Sequence, residues 1–240
     1  MYHEYIFRPL YNGLIFLFDA LPWLDAGVAV ILFTCIVKLA LFPLSKKAII
    51  TQARMKEIQP EVDALQKKYK DDKQALSLAT FEIYKKKQVN PFSSIILIFI
   101  QLPILIALYS IFVRSGLPVV NESLLYFTKI PVIDMQFLGL FDIAGKSIIL
   151  SLIAGIAQFY QIKYALGKTP EKKENPTFQE DFARNMSVQM KYIFPIIIFV
   201  ISYTGSGVVA IYLTISSLFT LGQELYVKRH LTPLNRVTTN

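Results

Sequence analysis

The sequence predicts an all-α integral membrane protein: five transmembrane helices, a cytoplasmic two-helix coiled-coil hairpin and an N-terminal interfacial helix. Composition, the spacing of uncharged runs and the placement of basic residues predict it together. The chain of 240 residues (27.4 kDa) is 54% hydrophobic and 18% charged, with a mean hydropathy of +0.45, too apolar for a water-soluble domain of that size. A helix crossing about 30 Å of hydrocarbon needs roughly 20 mainly apolar residues, and the sequence holds runs of that length. Cys35 is the single cysteine, so neither a disulfide framework nor a Cys/His metal or iron–sulfur centre is expected, and no cofactor is expected.

Residues 1–25 form the first element. The stretch PLYNGLIFLFDALPWL has no basic leading region and no small-residue cleavage site, so a secretory leader is not expected. Asp19, Pro22 and Asp25 interrupt it, which favours an external interfacial amphipathic segment with Trp23 among the headgroups. The first span, 26–45, is apolar except for Lys38.

Residues 46–90 read as a cytoplasmic helical hairpin. Met55, Ile58, Val62, Leu65 and Tyr69 recur at alternating three- and four-residue spacing, the seam of a short coiled coil. Lys70-Asp71-Asp72-Lys73 is a polar turn, and a second arm carrying Leu76, Leu78, Phe81, Ile83 and Tyr84 returns toward Asn90-Pro91. Pro60 is expected to kink the first arm, because it removes an amide donor and crowds the preceding turn.

The second span is 91–113, an external segment covers 114–146, and the third span is 147–166. A cytoplasmic loop, 167–187, leads to the fourth span, 188–204. Tyr192 to Gln223 is a 32-residue uncharged run broken only by Thr204-Gly205-Ser206-Gly207, which reads as a tight turn between two helices. The fifth span is 207–225, and 226–240 is a short basic cytoplasmic tail. The uncharged cores of the last two spans are about 16 and 15 residues, or roughly 24 and 22 Å, short enough to suggest local thinning of the bilayer.

Basic residues orient the chain, since cytoplasmic loops carry the excess of Lys and Arg. Nineteen fall in the hairpin, the 167–187 loop with its flank, and the tail. Four, namely Arg8, Arg114, Lys129 and Lys146, fall on the other side. The amino terminus is therefore expected outside and the carboxyl terminus in the cytoplasm. The net charge of +8 is then mostly topology, so no nucleic-acid specificity is expected. For the hairpin two readings stand: a solvated connector, or an arm that meets ribosome, targeting factor or nascent chain.

A charge inside a span is expensive, a few kcal/mol even on insertion scales, so Lys38 needs a solvating environment. Thr34 lies one turn earlier on the same face. The second span adds Gln101 and Tyr109, the third Ser151, Gln158 and Gln161, and the fifth Tyr212, Thr214, Ser216 and Ser217. These side chains fit a wet cavity around one cation. The alternative is that Lys38, about 10 Å of helix from Ser45, snorkels to the headgroups, while the small residues merely pack helices.

Four segments carry a family resemblance: VKLALFPLSKKA, MKEIQPEVDALQKKYKDD, NPFSSIILIFIQLPILIALYSIF and MKYIFPIIIFVISYTGSGVVAIYLTISSLFTLGQ. In this order and topology they resemble the YidC/Oxa1/Alb3 family of membrane protein insertases. Lys38 stands where that family usually has arginine, and Leu213 where it often has tryptophan. The resemblance implies a five-helix bundle around a hydrophilic groove, open to cytoplasm and lipid and closed outside. It implies insertion of small membrane proteins without nucleotide hydrolysis, and the chain carries no phosphate-loop or dinucleotide motif. The implied partners are nascent membrane proteins and the lipid bilayer, with ribosome, signal recognition particle and Sec translocon as further ones. It also implies a minimal member, without an extra amino-terminal span or a long ribosome-binding tail.

The competing function is a small ion or solute transporter or channel, because intramembrane ionisable residues mark ion paths. It is weakened by the expectation of no Asp or Glu within the spans and by the lack of an internal repeat. An intramembrane enzyme has less material, since the two histidines, His3 and His230, sit at opposite chain ends.

Overall fold

The computed structural model describes residues 3–69, 72–89, 104, 106–107, 109–111, 120–126, 131–167 and 178–231. Most of the expected second span, with Gln101, lies outside them, as do Lys70 and Asp71 of the hairpin turn. The chain forms two compact units, one drawn from Met1–Ala40 and Leu102–Gly222 and the other from Leu41–Gln101 and Gln223–Asn240.

In the first unit, a π-helical turn at His3–Phe7 leads into α1, Arg8–Ala20, with Pro9 in its first turn, where a missing amide donor does no harm. Tyr11, Leu14, Ile15 and Phe18 are buried in the core of the unit. Expected to lie on the membrane surface, α1 turns this apolar stripe to protein, leaving Phe16 and Trp23 exposed. Asp25 starts α2, Ala26–Ala40: its Oδ1 accepts from the Val28 amide at 2.8 Å and its Oδ2 from the Leu138 amide at 3.0 Å. The helix leaves regular geometry at Leu41, short of the expected Ser45, because Pro43 cannot donate to the carbonyl one turn back.

The external segment departs from an all-helical pattern. Gln136–Phe137 pairs antiparallel with Phe141–Asp142 (β1 and β2), through a turn in which Leu138 and Gly139 have φ of 53° and 67°. Phe137 covers Gly27 so closely that a Cβ there would overlap its ring.

Ser147 caps α5, Ile148–Leu166, and Gly167, with φ of 72°, ends it. Helix α6, Phe178–Thr204, and helix α7, Gly207–Arg229, meet at the turn expected from Gly205 and Gly207. The Gly207 and Val208 amides bond to Gly145 and Ile143 carbonyls, and a side chain at Gly207 would strike the Ile143 backbone. Among the described residues, α5, α7 and Arg184–Thr204 of α6 are long and apolar enough to cross a membrane, and Ala26–Ala40 with Phe42–Lys68, taken together as one bent span, make a fourth. Arg184–Thr204 and Gly207–Arg229 run 21 and 23 residues and include Arg184, Lys191, Glu224 and Lys228. Thinning of the bilayer therefore does not follow from helix length; long charged side chains reach water while the backbone stays helical. Helix α7 is central and α6 peripheral, 56% and 17% buried over their apolar windows.

In the second unit, α3 is Phe42–Lys68 and continues as helix through Pro60; α4 is Lys73–Lys86. Asp72 caps α4 by accepting from the Gln74 and Ala75 amides at 3.1 and 2.9 Å. Ile58 and Val62 are buried on α3, and Lys87 meets Glu61 at 2.9 Å.

Candidate functional site

Lys38 sits in the last turn of α2 with only 9% of its surface exposed. Its Nζ donates to Thr220 Oγ1 on α7 at 3.1 Å, so the ammonium is directed at a neighbouring helix. Thr220 in turn donates to the Ser216 carbonyl at 2.8 Å. One turn away on α7, Ser217 Oγ lies 2.8 Å from Gln158 Oε1 and 2.9 Å from the Leu213 carbonyl. Gln158 Nε2 then donates to Gln161 Oε1 at 2.9 Å. A cation, two side-chain amides and two α7 hydroxyls thus occupy the facing sides of α2, α5 and α7.

The remaining candidates fall elsewhere or are committed locally. Thr34, Ser151 and Thr214 donate to the carbonyls of Val30, Ser147 and Ala210 at 2.7, 2.7 and 2.8 Å, each one turn back on its own helix. Such bonds satisfy a hydroxyl donor in an apolar helix. Tyr212 is buried in the core and Tyr109 packs half-buried against it. Ser216 is buried and enters through its carbonyl. Thr220 was not among the expected residues. Its only signal is its position four residues after Ser216, on the same face of the helix.

In the hairpin, Ile58 and Val62 are buried, while Met55, Leu65, Tyr69 and Tyr84 are half-buried. Phe81 points outward, 67% exposed, as does Leu78; both lie on the side of α4 opposite Ala79 and Ile83, which are partly covered. Near the end of α7, Glu224 is 3% exposed and pairs with Lys228 at 3.0 Å. Glu224 lies one residue past the uncharged run but inside the expected fifth span, 207–225, so that span holds a buried acid where none was expected. Lys56, on α3, has its pKa held below the ordinary lysine value, first by burial and then by the Lys228 cation, with Glu224 opposing. Among the described residues no group of His, Cys, Asp and Glu is placed to hold a metal ion.

Two comparisons with known proteins bear on this arrangement. Residues 17–234 match the family model described as 60Kd inner membrane protein. The membrane protein insertase YidC of Clostridium tetani (strain Massachusetts / E88) is 34% identical over 208 residues, covering 87% of this chain and 84% of that protein. The proteins of the same name from Francisella tularensis subsp. novicida (strain U112) and subsp. tularensis (strain WY96-3418) are 31% identical over 205 residues, 85% of this chain. The match covers 32% of each Francisella protein, so the chain spans about a third of their length. With the family model covering nearly all of the chain, and one relative matched over most of both lengths, the chain belongs to the 60Kd inner membrane protein family, the YidC/Oxa1 family.

Proposed function

We propose that the chain is a membrane protein insertase, working from the cytoplasmic side without nucleotide hydrolysis and not as an enzyme. The observation that carries the mechanism is the Lys38 ammonium, held inside the protein at 3.1 Å from Thr220 beside the Gln158–Gln161–Ser217 chain. Five spans surround a hydrophilic groove, the amino terminus is outside, and the hairpin is a short coiled coil at the cytoplasmic face. Lys38 attracts the acidic or polar external part of a substrate. Gln158, Gln161 and the α7 hydroxyls replace part of its water, and the apolar segment slides into lipid along α5 and α7. Transfer of that segment out of water drives the net step. Nascent membrane proteins are the substrates, with ribosome, signal recognition particle and Sec translocon as candidate partners at the hairpin.

Cells depleted of their own insertase test this reading. Rescue is expected from the wild-type chain and from Lys38→Arg, and loss from Lys38→Ala and Lys38→Glu for substrates with charged outer tails. Normal rescue by Lys38→Glu would remove charge attraction from the mechanism. Ion or solute flux through protein-containing liposomes, without insertion of a small substrate, would replace the insertase reading with a transporter.

A further inference from the structure

Away from the polar site, α5 and α6 enclose a cleft of about 500 Å³, within the roughly 300–1,000 Å³ of small-molecule pockets. Gly155, Ile156, Phe159 and Tyr160 line it from α5, and Pro195 and Phe199 from α6. Gly155 makes it possible: a Cβ there would come within 3.3 Å of both the Pro195 carbonyl and Phe199, so the two backbones approach closely and the larger side chains form the walls. The lining is apolar, and Ile156 and Tyr160 are 49% and 55% exposed, so the cleft opens sideways from the bundle. A slot of this chemistry on a spanning helix faces acyl chains.

One end of the cleft is charged. Lys163, exposed on α5, places its Nζ 5.8 Å from the Phe159 ring centre and 5.9 Å from that of Tyr160. Tyr192 of α6 packs beside Phe159, with ring centres 6.0 Å apart, and is 54% exposed. A cation flanked by two tyrosines at one end of an apolar slot has the layout of a membrane interface, where aromatic rings and basic side chains meet headgroups. From Leu152 to Lys163 the helix rises about 16 Å, enough for the slot to take a length of acyl chain while Lys163 reaches the phosphate.

We infer that the α5–α6 cleft is a specific site for one anionic phospholipid, its acyl chain along Gly155 and Phe159 and its headgroup at Lys163. The site stands whichever way the chain is oriented; in the orientation proposed above, the lipid belongs to the cytoplasmic leaflet. It lies on a different side of α5 from Gln158, which faces α7, and would be occupied at rest.

The full chain is reconstituted in phosphatidylcholine vesicles containing a trace of phosphatidylglycerol or phosphatidylcholine with a photoactivatable group in mid-chain. After illumination, adducts are mapped by residue. Adducts are expected at Ile156, Phe159 and Phe199 well above those at Leu218, an exposed residue of α7, with phosphatidylglycerol exceeding phosphatidylcholine about fivefold, as expected for one lysine near a headgroup. Lys163→Gln should abolish that preference while leaving chain adducts. Ile156→Trp, filling the slot, should remove adducts of both lipids. Equal labelling of the two lipids in the wild type, or labelling at Leu218 as strong as in the cleft, overturns the site. So does displacement of the lipid adducts by a co-reconstituted single-span substrate, which would make the cleft a substrate surface. None of these readouts measures insertion, so the site and the insertase mechanism fail independently.

Discussion

Removing the Thr220 hydroxyl is the sharpest perturbation of the polar site. Thr220→Val keeps the side-chain shape but deletes an oxygen that accepts from Lys38 at 3.1 Å and donates to the Ser216 carbonyl at 2.8 Å. The Ser216 carbonyl belongs to a regular helix and keeps its backbone donor, so the second loss is minor. The first is a hydrogen bond to a charged group, about 1.5–3 kcal/mol, with Lys38 91% covered by protein. Lys38→Met alone is less informative, because replacing a buried ion with an apolar chain is often neutral or stabilising. A double-mutant cycle isolates the pair. In reversible unfolding from mixed detergent micelles, followed by protease resistance of the folded fraction, Thr220→Val is expected to destabilise the wild type by about 1.5–3 kcal/mol. In the Lys38→Met background its effect should fall within about 0.5 kcal/mol of zero. Equal destabilisation in both backgrounds would refute the claim that Thr220 solvates Lys38.

Three further outcomes are expected. Gly27→Ala should lower stability by about 1–3 kcal/mol, because the new methyl overlaps the Phe137 ring; thermal unfolding reads it, and Phe137→Ala in the same chain should relieve the clash. Asn12→Leu should cost about 1–3 kcal/mol for each partner left unsatisfied, since Asn12 donates to the Leu124 carbonyl at 2.9 Å and accepts from the Tyr126 amide at 2.7 Å; faster hydrogen exchange at Tyr126 checks it. Lys56 has a folded-state pKa below its ordinary 10.5, so the unfolded chain binds more protons between the two values and stability rises with pH there. The charge penalty is in full force below the lowered pKa and gone above 10.5, and Lys56→Met should flatten the rise in melting temperature across that alkaline window.

The spans were legible because desolvating a backbone requires long apolar runs, and α5, α6 and α7 each contain one. Their ends were not. Helical hydrogen bonding does not stop at a charge, so α6 begins at Phe178 and α7 continues to Arg229, past the residues that bounded the uncharged runs. Pro43 carried the information that α2 breaks early, but the surrounding apolar pattern continued through it. The β1–β2 ribbon has strands of two residues each, too short for alternation to register. The outward position of Phe81 shows a further limit: an apolar residue near a heptad seam need not face it, and only the packing of α3 against α4 decides. In the polar site, Lys38, Gln158 and Gln161 stood out because charges and amides are rare in spans. Thr220 did not, because a threonine is common in a membrane helix.

The hydrogen bonding of those hydroxyls also determines what the site can hold. Thr34, Ser151, Thr214 and Thr220 all donate their single proton to a carbonyl of their own helix, and Ser217 shares its proton between Leu213 and Gln158. With donors spent, each oxygen is left to act as an acceptor. Such a surface suits an ammonium, which has three donors and no acceptor, and Thr220 serves Lys38 in that way. Thr34 and Ser151 are sealed in the core, but the half-buried Thr214 and Thr220 suit the backbone amides of an extended substrate for the same reason, since in a dry bilayer those amides are costly without acceptors. A substrate carboxylate is itself an acceptor, so Lys38 and the side-chain amides serve it, while the hydroxyls serve the backbone amides of the same segment. In the proposed insertase, then, two kinds of substrate polarity are handled by different side chains. Thr214→Val should slow uncharged polar tails and acidic tails alike, whereas Lys38→Ala should slow the acidic ones selectively. Insertion assays on a pair of substrates differing only in tail charge separate the two effects, and equal sensitivity of both tails to Lys38→Ala would show that the cation serves the fold and not the cargo.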